Sequence, residues 1–322
     1  MSEYTFELYK PSDADNAIDL FSKCFGKKQP RDDWVWQYHS CPFGQKSIVC
    51  RKGDDLAGFY GVILRPLFVN HKESVVGHVM DVMTHPEHQG KGLFTSCAKA
   101  AFAASKATGV DLFFGWPNQE ALPGHRKVSW RELGKRDIMK HSLQGLLGPE
   151  NDLTVERVSW DSVSELRDDV DRLFASRKDT LDIVADRRWK WLDWRYALRP
   201  GFGYFPVMCL DRKRRSLEGW AVLRKKEFEG ESVGHIVDYL TTDDSRATQA
   251  IESWALRYFA SEGCAYAQFL DNDQMEKASS SWQAEEGRKL ELIVRSTDEP
   301  GEEMPKSTID DWYLALGDCD VF

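Results

Sequence analysis

Apolar and polar side chains alternate over residues 4–9, the period of a half-buried strand. Residues 13–24 then place Ala17, Leu20 and Phe21 on one helical face. Trp34-Val35-Trp36-Gln37-Tyr38 crowds three aromatic rings together ahead of Pro42-Phe43-Gly44, a turn signal. Strands are predicted at 47–50 and 56–64, with Asp54-Asp55 turning the chain between them, and again at 74–84. A helix of more than about 15 residues is predicted to start near Gly92. A short strand at 111–116 is cut off by Pro117-Asn118.

The stretch 145–154, which contains Gly145-Leu146-Leu147-Gly148-Pro149, loses this periodicity. It reads as the boundary between a first domain, 1–148, and a second, 149–322. Beyond it the pattern returns. Trp34, Trp36, Tyr38 and Pro42 are echoed by Trp191, Trp194, Tyr196 and Pro200. Val76-Gly77-His78-Val79-Met80-Asp81 is echoed by Val233-Gly234-His235-Ile236-Val237-Asp238. The offset is 158 from Tyr38 to Tyr196 and 157 from Gly77 to Gly234, so two separate matches indicate duplication of a whole domain. Because His78 and Asp81 recur in a half without the loop described below, their shared role can be to hold neighbouring strands by hydrogen bonds.

Composition narrows the picture. A chain of 322 residues exceeds one comfortable core, and 42% hydrophobic with 12% aromatic residues suffices for two. The formal charge of −9, from 52 acidic against 43 basic side chains, argues against a broad nucleic-acid surface while leaving room for a local basic patch. No apolar run approaches the roughly 20 residues that span a bilayer, and the start Met1-Ser2-Glu3-Tyr4 is polar. The expectation is a cytoplasmic protein without membrane insertion. Seven cysteines, an odd number with no CxxC pair, read as buried reduced thiols, and no metal site is expected. The basic run 212–215 and the acidic run 298–303 read as solvated turns.

The sharpest local signal is Thr84-His85-Pro86-Glu87-His88-Gln89-Gly90-Lys91-Gly92-Leu93-Phe94-Thr95, between a Val/Met-rich strand and an Ala-rich helix. A glycine turn entering a helix lines up amide N–H groups that the helix cannot satisfy internally. Those amides, with the positive end of the helix dipole, suit a pyrophosphate. Gly90 and Gly92 let a ligand approach the backbone, and Gln89 and Lys91 can add donors at the rim. Neither a completed Gly-x-Gly-x-x-Gly nor a Gly-Lys-Ser/Thr is present, which disfavours dinucleotide-binding and Walker readings.

On these residues the chain resembles the GCN5-related N-acetyltransferase superfamily, whose members bind acetyl-CoA through Gln/Arg-x-x-Gly-x-Gly/Ala. Gln89-Gly90-Lys91-Gly92-Leu93-Phe94 matches at its first and fourth positions, with Phe94 in place of a small residue. A second family segment, Asn-x-x-Ala-x-x-Leu-Tyr-x-Lys-x-Gly-Phe, is similar to 118–130: Asn118, Ala121, Lys127 and Trp130 keep register, His125 falls at the tyrosine and Ser129 replaces the glycine. The resemblance covers about residues 1–140 and implies an α/β (α+β) fold, a mixed and mostly antiparallel sheet flanked by helices, present twice. It also implies that Met83 and Thr84 line the pantetheine arm with their backbone atoms. At the corresponding place in the second half stands Thr241-Thr242-Asp243-Asp244-Ser245-Arg246, without glycine and with two acids that would repel a pyrophosphate.

Acetyl transfer needs a neutral amine, a base for its proton and a proton for the departing thiolate. His125, at the tyrosine position, is the candidate acid, and Asp81, on the strand entering the loop, is the candidate base. Either can instead be a structural residue. The cofactor-binding set is Met83, Thr84, Gln89, Gly90, Lys91, Gly92, Leu93, Phe94 and Asn118, with acetyl-CoA or another acyl-CoA as donor. Cys97, on the helix after the loop, reads as core. Trp34, Trp36 and Tyr38 either pack against the sheet or wall an acceptor. Phe113-Phe114-Gly115-Trp116-Pro117-Asn118 loosely resembles segments of polysaccharide-associated acetyltransferases, which suggests an amino sugar or nucleotide-linked sugar among small-molecule amines. A homo-oligomer is left open. A terminal carboxylate at Phe322 acting in the site, as in a related tandem group, is one further reading. The competing function is a catalytically silent CoA-binding or scaffold protein.

Overall fold

The computed structural model describes residues 4–144, 152–272, 281–297 and 307–319. Most of the expected boundary at 145–154, the acidic run 298–303 and Phe322 lie outside them. The chain divides into two compact units. The first comprises Met1–Leu67, Glu73–Gly134 and Glu291–Ile309; the second comprises Phe68–Lys72, Lys135–Leu290 and Asp310–Phe322. Each unit thus takes segments from both the first and the second half of the chain.

In the first unit, strand β1 (Tyr4–Leu8) is followed by helices α1 (Ala14–Phe25) and α2 (Arg31–His39), then by β2 (Ile48–Lys52), β3 (Asp55–Val69) and β4 (Lys72–Thr84). Helix α3 (Leu93–Lys106) crosses to β5 (Leu112–Gly115), and the short α4 (Leu122–Arg126) leads into β6 (Arg131–His141), which from Lys135 on belongs to the second unit. The strands lie in the order β1-β2-β3-β4-β5. β1–β2 and β2–β3 are antiparallel, whereas β4 and β5 run parallel, as a helical crossover requires. The aromatic stretch 34–38 lies in α2, and β3 extends past its predicted end because its residues stay buried to Phe68. Helix α3 has 14 residues, fewer than expected, because the chain turns at Gly109, whose φ of +79° ends the helical run.

Leu93, Cys97, Ala98, Ala101 and Phe102 form the buried stripe of α3 and join Ile48, Tyr60, Val62, Val79 and Phe113 in one core. Cys97 is therefore core, as read from its place on the helix. A second aromatic group fastens α2 to the sheet: the rings of Trp34 and Tyr38 lie 4.6 Å apart, and each meets Phe59 at 5.3 Å. Burying such rings stabilises by roughly 1.5–3 kcal/mol each. The packing reading of this cluster therefore has direct geometric support.

The second unit contains β7 (Thr154–Arg157), α5 (Trp160–Glu165), α6 (Arg167–Lys178), β8 (Ile183–Ala185) and α7 (Trp189–Leu192). It continues with β9 (Phe205–Asp211), β10 (Ser216–Phe228), β11 (Glu231–Thr241), α8 (Ser245–Ser261) and β12 (Tyr266–Leu270). The long β13 (Gln283–Ser296) starts in this unit and from Glu291 belongs to the first, and the short β14 (Trp312–Tyr313) is again in the second. β9, β10 and β11 are antiparallel neighbours, and β11 pairs parallel with β12 across α8. The order antiparallel hairpin, helix, parallel strand thus occurs in both units. The basic run 212–215 forms the turn between β9 and β10.

The repeated Gly-His pairs occupy matching registers. Gly77 and His78 lie beside Phe113 and Phe114, as Gly234 and His235 lie beside Ala267 and Gln268. A Cβ on Gly77 would enter the Phe113 ring, and one on Gly234 would enter Phe259, so both glycines are required by close packing. His78 stacks on Phe114 at 4.4 Å, while His235 Nε2 meets Gln268 Oε1 at 3.1 Å. Among the described residues no helix is long and apolar enough to cross a membrane.

Candidate active site

The parallel ladder between β4 and β5 ends at Val79 and Gly115, yet β4 runs on to Thr84. Asp81 stands just past this last pair with φ +48°, a left-handed conformation that an aspartate tolerates better than most residues. The break turns the strand and leaves 80–84 with no β5 partner. Met83 is buried and Thr84 half-buried. The Thr84 carbonyl accepts a long bond from Cys24 Sγ at 3.4 Å, and Gly58 lies against the Met83 carbonyl.

After β4 the chain makes a 3-10 turn over Pro86–His88, in which His85 Nδ1 accepts from the Glu87 amide at 3.3 Å. Gln89, Gly90, Lys91 and Gly92 are exposed. Gly90 and Gly92 have φ of +72° and +77°, and a Cβ on either would meet nothing within 4 Å. Their glycines are therefore demanded by backbone conformation and not by packing, and the space above them is open. Gly92 is the N-cap of α3 and supplies no side-chain cap; the first helical bond runs from Ser96 N–H to Gly92 O. Among the described residues, the amides of Leu93, Phe94 and Thr95 have no acceptor. With no acidic side chain in the first turn, this end of α3 can accept the phosphate oxygens of a cofactor. Leu93 anchors the turn in the core.

The rim is cationic. Lys52 lies over the Tyr4 ring at 5.9 Å, Tyr4 Oη meets His88 Nδ1 at 2.9 Å, and Lys91 Nζ folds back onto the Glu87 carbonyl at 2.8 Å. Partial desolvation and then the positive charges of Lys91, His85 and Lys52 hold the His88 pKa below its ordinary value. Such a rim favours an anion.

Asp81 is held from α2: Gln37 Nε2 donates to Oδ2 at 2.6 Å and Tyr38 Oη donates to the same oxygen at 2.8 Å. The second unit repeats the tyrosine bond, from Tyr196 Oη to Asp238 Oδ2 at 2.7 Å. Asp238, however, is fully buried and also ion-paired with Arg187 at 3.0 Å. Asp81 keeps partial exposure. Gln37 was not singled out in the sequence; the paired recurrence of Tyr38 with Tyr196 and Asp81 with Asp238 was the available signal.

His125 lies in α4, only 4% exposed, between the rings of Phe94 and Trp130, each 5.1 Å away and nearly perpendicular. Its Nδ1 has no hydrogen-bond partner among the described residues. Burial pushes its pKa down to about 4. Phe94 lies against Gly124, where a Cβ would come within 2.8 Å of the ring. The large sixth residue of the loop is thus accommodated by a glycine on α4. Asn118 Oδ1 accepts from the Ala121 amide at 2.8 Å, tying the end of β5 to the start of α4.

The start of α8 contrasts with that of α3. Asp244 caps it, its Oδ1 accepting from the Arg246 amide at 3.0 Å, and its carboxylate also pairs with the Arg246 guanidinium. An acid already occupies the place an anionic ligand would take.

Comparisons with known proteins agree with this geometry. A family model described as an acetyltransferase (GNAT) domain matches residues 5–131. No curated protein matches the chain. Among solved structures, a GCN5-related N-acetyltransferase from Anabaena variabilis superposes with a TM-score of 0.74 at 11% identity, covering 92% of this chain and 73% of that one. A GCN5-related glucosamine N-acetyltransferase region of a fungal multi-domain β-N-acetylglucosaminidase gives 0.63 at 16% identity, over 92% of this chain and 38% of that one. N-myristoyltransferase of Saccharomyces cerevisiae with bound myristoyl-CoA gives 0.63 at 11% identity, covering 91% and 83%. At these identities the likeness establishes the fold. Residues 5–131 are thus similar to an acetyltransferase (GNAT) domain, on the fold that the GCN5-related N-acetyltransferase structures share.

Proposed function

We propose that the first unit moves an acetyl group from acetyl-CoA to the amine of a small molecule, by direct attack of the amine. The observation that carries this reading is the uncapped start of α3, with left-handed Gly90 and Gly92 facing open space beyond the end of β4 that has no β5 partner. The donor supplies an acyl group activated as a thioester. In this reading the 89–94 turn grips its pyrophosphate through backbone amides, with Gln89 and Lys91 at the rim. The peptide groups of Met83 and Thr84 align the pantetheine arm. Asn118 keeps α4 in place beside the turn.

Asp81 is the base of this scheme. Two donors fix its carboxylate, and its partial exposure leaves it accessible to an incoming ammonium or a bridging water. His125 is better explained as packing. A histidine neutral down to about pH 4 holds no ionised proton to give at neutral pH, so the thiolate would leave as an anion or take a proton from water. The amino-sugar acceptor is favoured by the 113–118 segment and by the glucosamine-acting fungal neighbour. We further infer that the second unit arose by duplication and lost donor binding when Asp243 and Asp244 replaced the glycine turn.

One observation favours the competing reading of a silent CoA-binding protein: the residue at the family's tyrosine position is buried and neutral. Thiol release from acetyl-CoA, measured against glucosamine, polyamines and short peptides, separates the two. Turnover dependent on an amine supports the enzyme; CoA binding with no release for any amine supports the scaffold.

A further inference from the structure

A cavity of about 420 Å³ opens in the second unit, at the end of β11 and the start of α8. Its size falls in the range of small-molecule sites. The floor is hydroxyl-rich: Thr241 and Thr248 are buried and bonded to each other through their hydroxyls at 2.9 Å. Asn272 borders them and donates to the Leu314 carbonyl at 3.0 Å, while Trp312 supplies an aromatic wall.

Arg177 of α6 reaches this cavity with its residue only 5% exposed. Its Nη1 pairs with Asp243, but its Nε–H has no acceptor among the described residues. A buried donor left unpaired is unfavourable, and an acceptor atom of a ligand in the cavity would relieve it. The charge on the walls then decides what kind of ligand fits. Two guanidiniums, of Arg136 and Arg177, stand against four carboxylates, of Asp182, Asp243, Asp310 and Asp311. Both guanidiniums are already neutralised, Arg136 by Asp271 at 3.7 Å and Asp310 at 3.3 Å, Arg177 by Asp243. A carboxylate or phosphate would therefore meet a net negative lining, whereas an ammonium would be drawn in. The Nε–H of a neutralised arginine suits a hydroxyl oxygen.

We propose that the second unit carries its own binding site for a small hydroxylated ammonium compound of the amino-sugar or amino-alcohol class. The ammonium lies toward the carboxylates of Asp182 and Asp311, beside the Trp312 ring. The hydroxyls meet Arg177 Nε, the threonine floor and Asn272. This inference does not rest on acyl transfer, because the site contains nothing of the glycine turn and is read with no acyl donor present.

The test is calorimetric titration of the full chain, free of any acyl-CoA, with glucosamine, glucose and inorganic phosphate as probes. The expected result is saturable one-site binding of glucosamine, with glucose and phosphate at least tenfold weaker. Asp182→Asn, at the exposed rim, and Asp311→Asn should each weaken glucosamine binding about tenfold, with circular dichroism unchanged. Absence of saturable binding, equal binding of glucose, preference for phosphate, or glucosamine affinity untouched by both variants would each overturn the proposal. Amine-dependent turnover at the first unit can succeed or fail independently of any of these results.

Discussion

For His125 the sequence left an acid role and a packing role open, and the proposed scheme takes the packing role. In sequence it fills the place of a proton donor; in the fold its ring is one face of an aromatic packing with Phe94 and Trp130. Burial holds it neutral in the folded chain, whereas the unfolded chain binds a proton near pH 6.5. Its contribution to stability is thus complete above about pH 6.5 and is lost as pH falls toward about 4. Urea unfolding at pH 7 and pH 5 should show a loss of about 2 kcal/mol from this residue alone. His125→Gln should flatten the dependence by that amount while leaving the neutral-pH turnover within a few-fold. A collapse of turnover with an altered alkaline limb would restore the acid role. Asp81 is the base of the proposed scheme. Asp81→Asn should lower kcat about 100-fold or more and abolish the acidic limb of the pH–rate profile, with the KM for acetyl-CoA changed only a few-fold. The bond from Gln37 was beyond sequence reading, because it depends on where α2 crosses the sheet.

At the scale of elements, local signals were the most legible. The turn at Asp54 gave the β2–β3 hairpin and the glycines announced the start of α3, whereas β1 forms where expected but is largely exposed and not half-buried. What escaped were limits set by tertiary burial. β3 continues through Arg65 because its guanidinium is enclosed, with its carbon over the Phe114 ring at 5.8 Å, a charge whose burial no periodicity reveals. The contrast between the two helix starts was visible in sequence as glycines against aspartates, and the structure gives its physical form. Asp244 caps α8, and Asp244→Ala should destabilise the chain by about 1 kcal/mol in equilibrium unfolding. The same loss cannot arise at α3, where no side chain caps the helix.

At the scale of the whole molecule, the repeats at offsets of 157 and 158 made the similar layout of the two units legible before any coordinates. The exchange of segments was not legible, since no local pattern marks Glu291–Ile309 as belonging with the first unit. In the second unit, Asp238, at the position that echoes Asp81 in sequence, is part of a buried network. Arg187, fully enclosed, bridges Asp238 at 3.0 Å and Asp318 at 2.6 Å, and Arg195 donates to the Gly317 and Cys319 carbonyls. This network fixes the last described segment of the chain to β11. Asp318→Ala should cost about 3–5 kcal/mol in unfolding free energy, because it strands part of a buried charge. Replacing an exposed pair such as Arg31–Asp15 should cost under about 1 kcal/mol.

The account as a whole depends on the bare peptide amides at the start of α3. Acetyl-CoA affinity by calorimetry, compared between the wild type and Gly92→Val, addresses them directly. Valine strains the left-handed N-cap and covers the amides, while its Cβ meets no neighbour within 4 Å. The account predicts saturable binding to the wild type, weakened at least tenfold in the variant with its circular dichroism preserved. Equal affinity in both proteins, or no binding to the wild type, would contradict it.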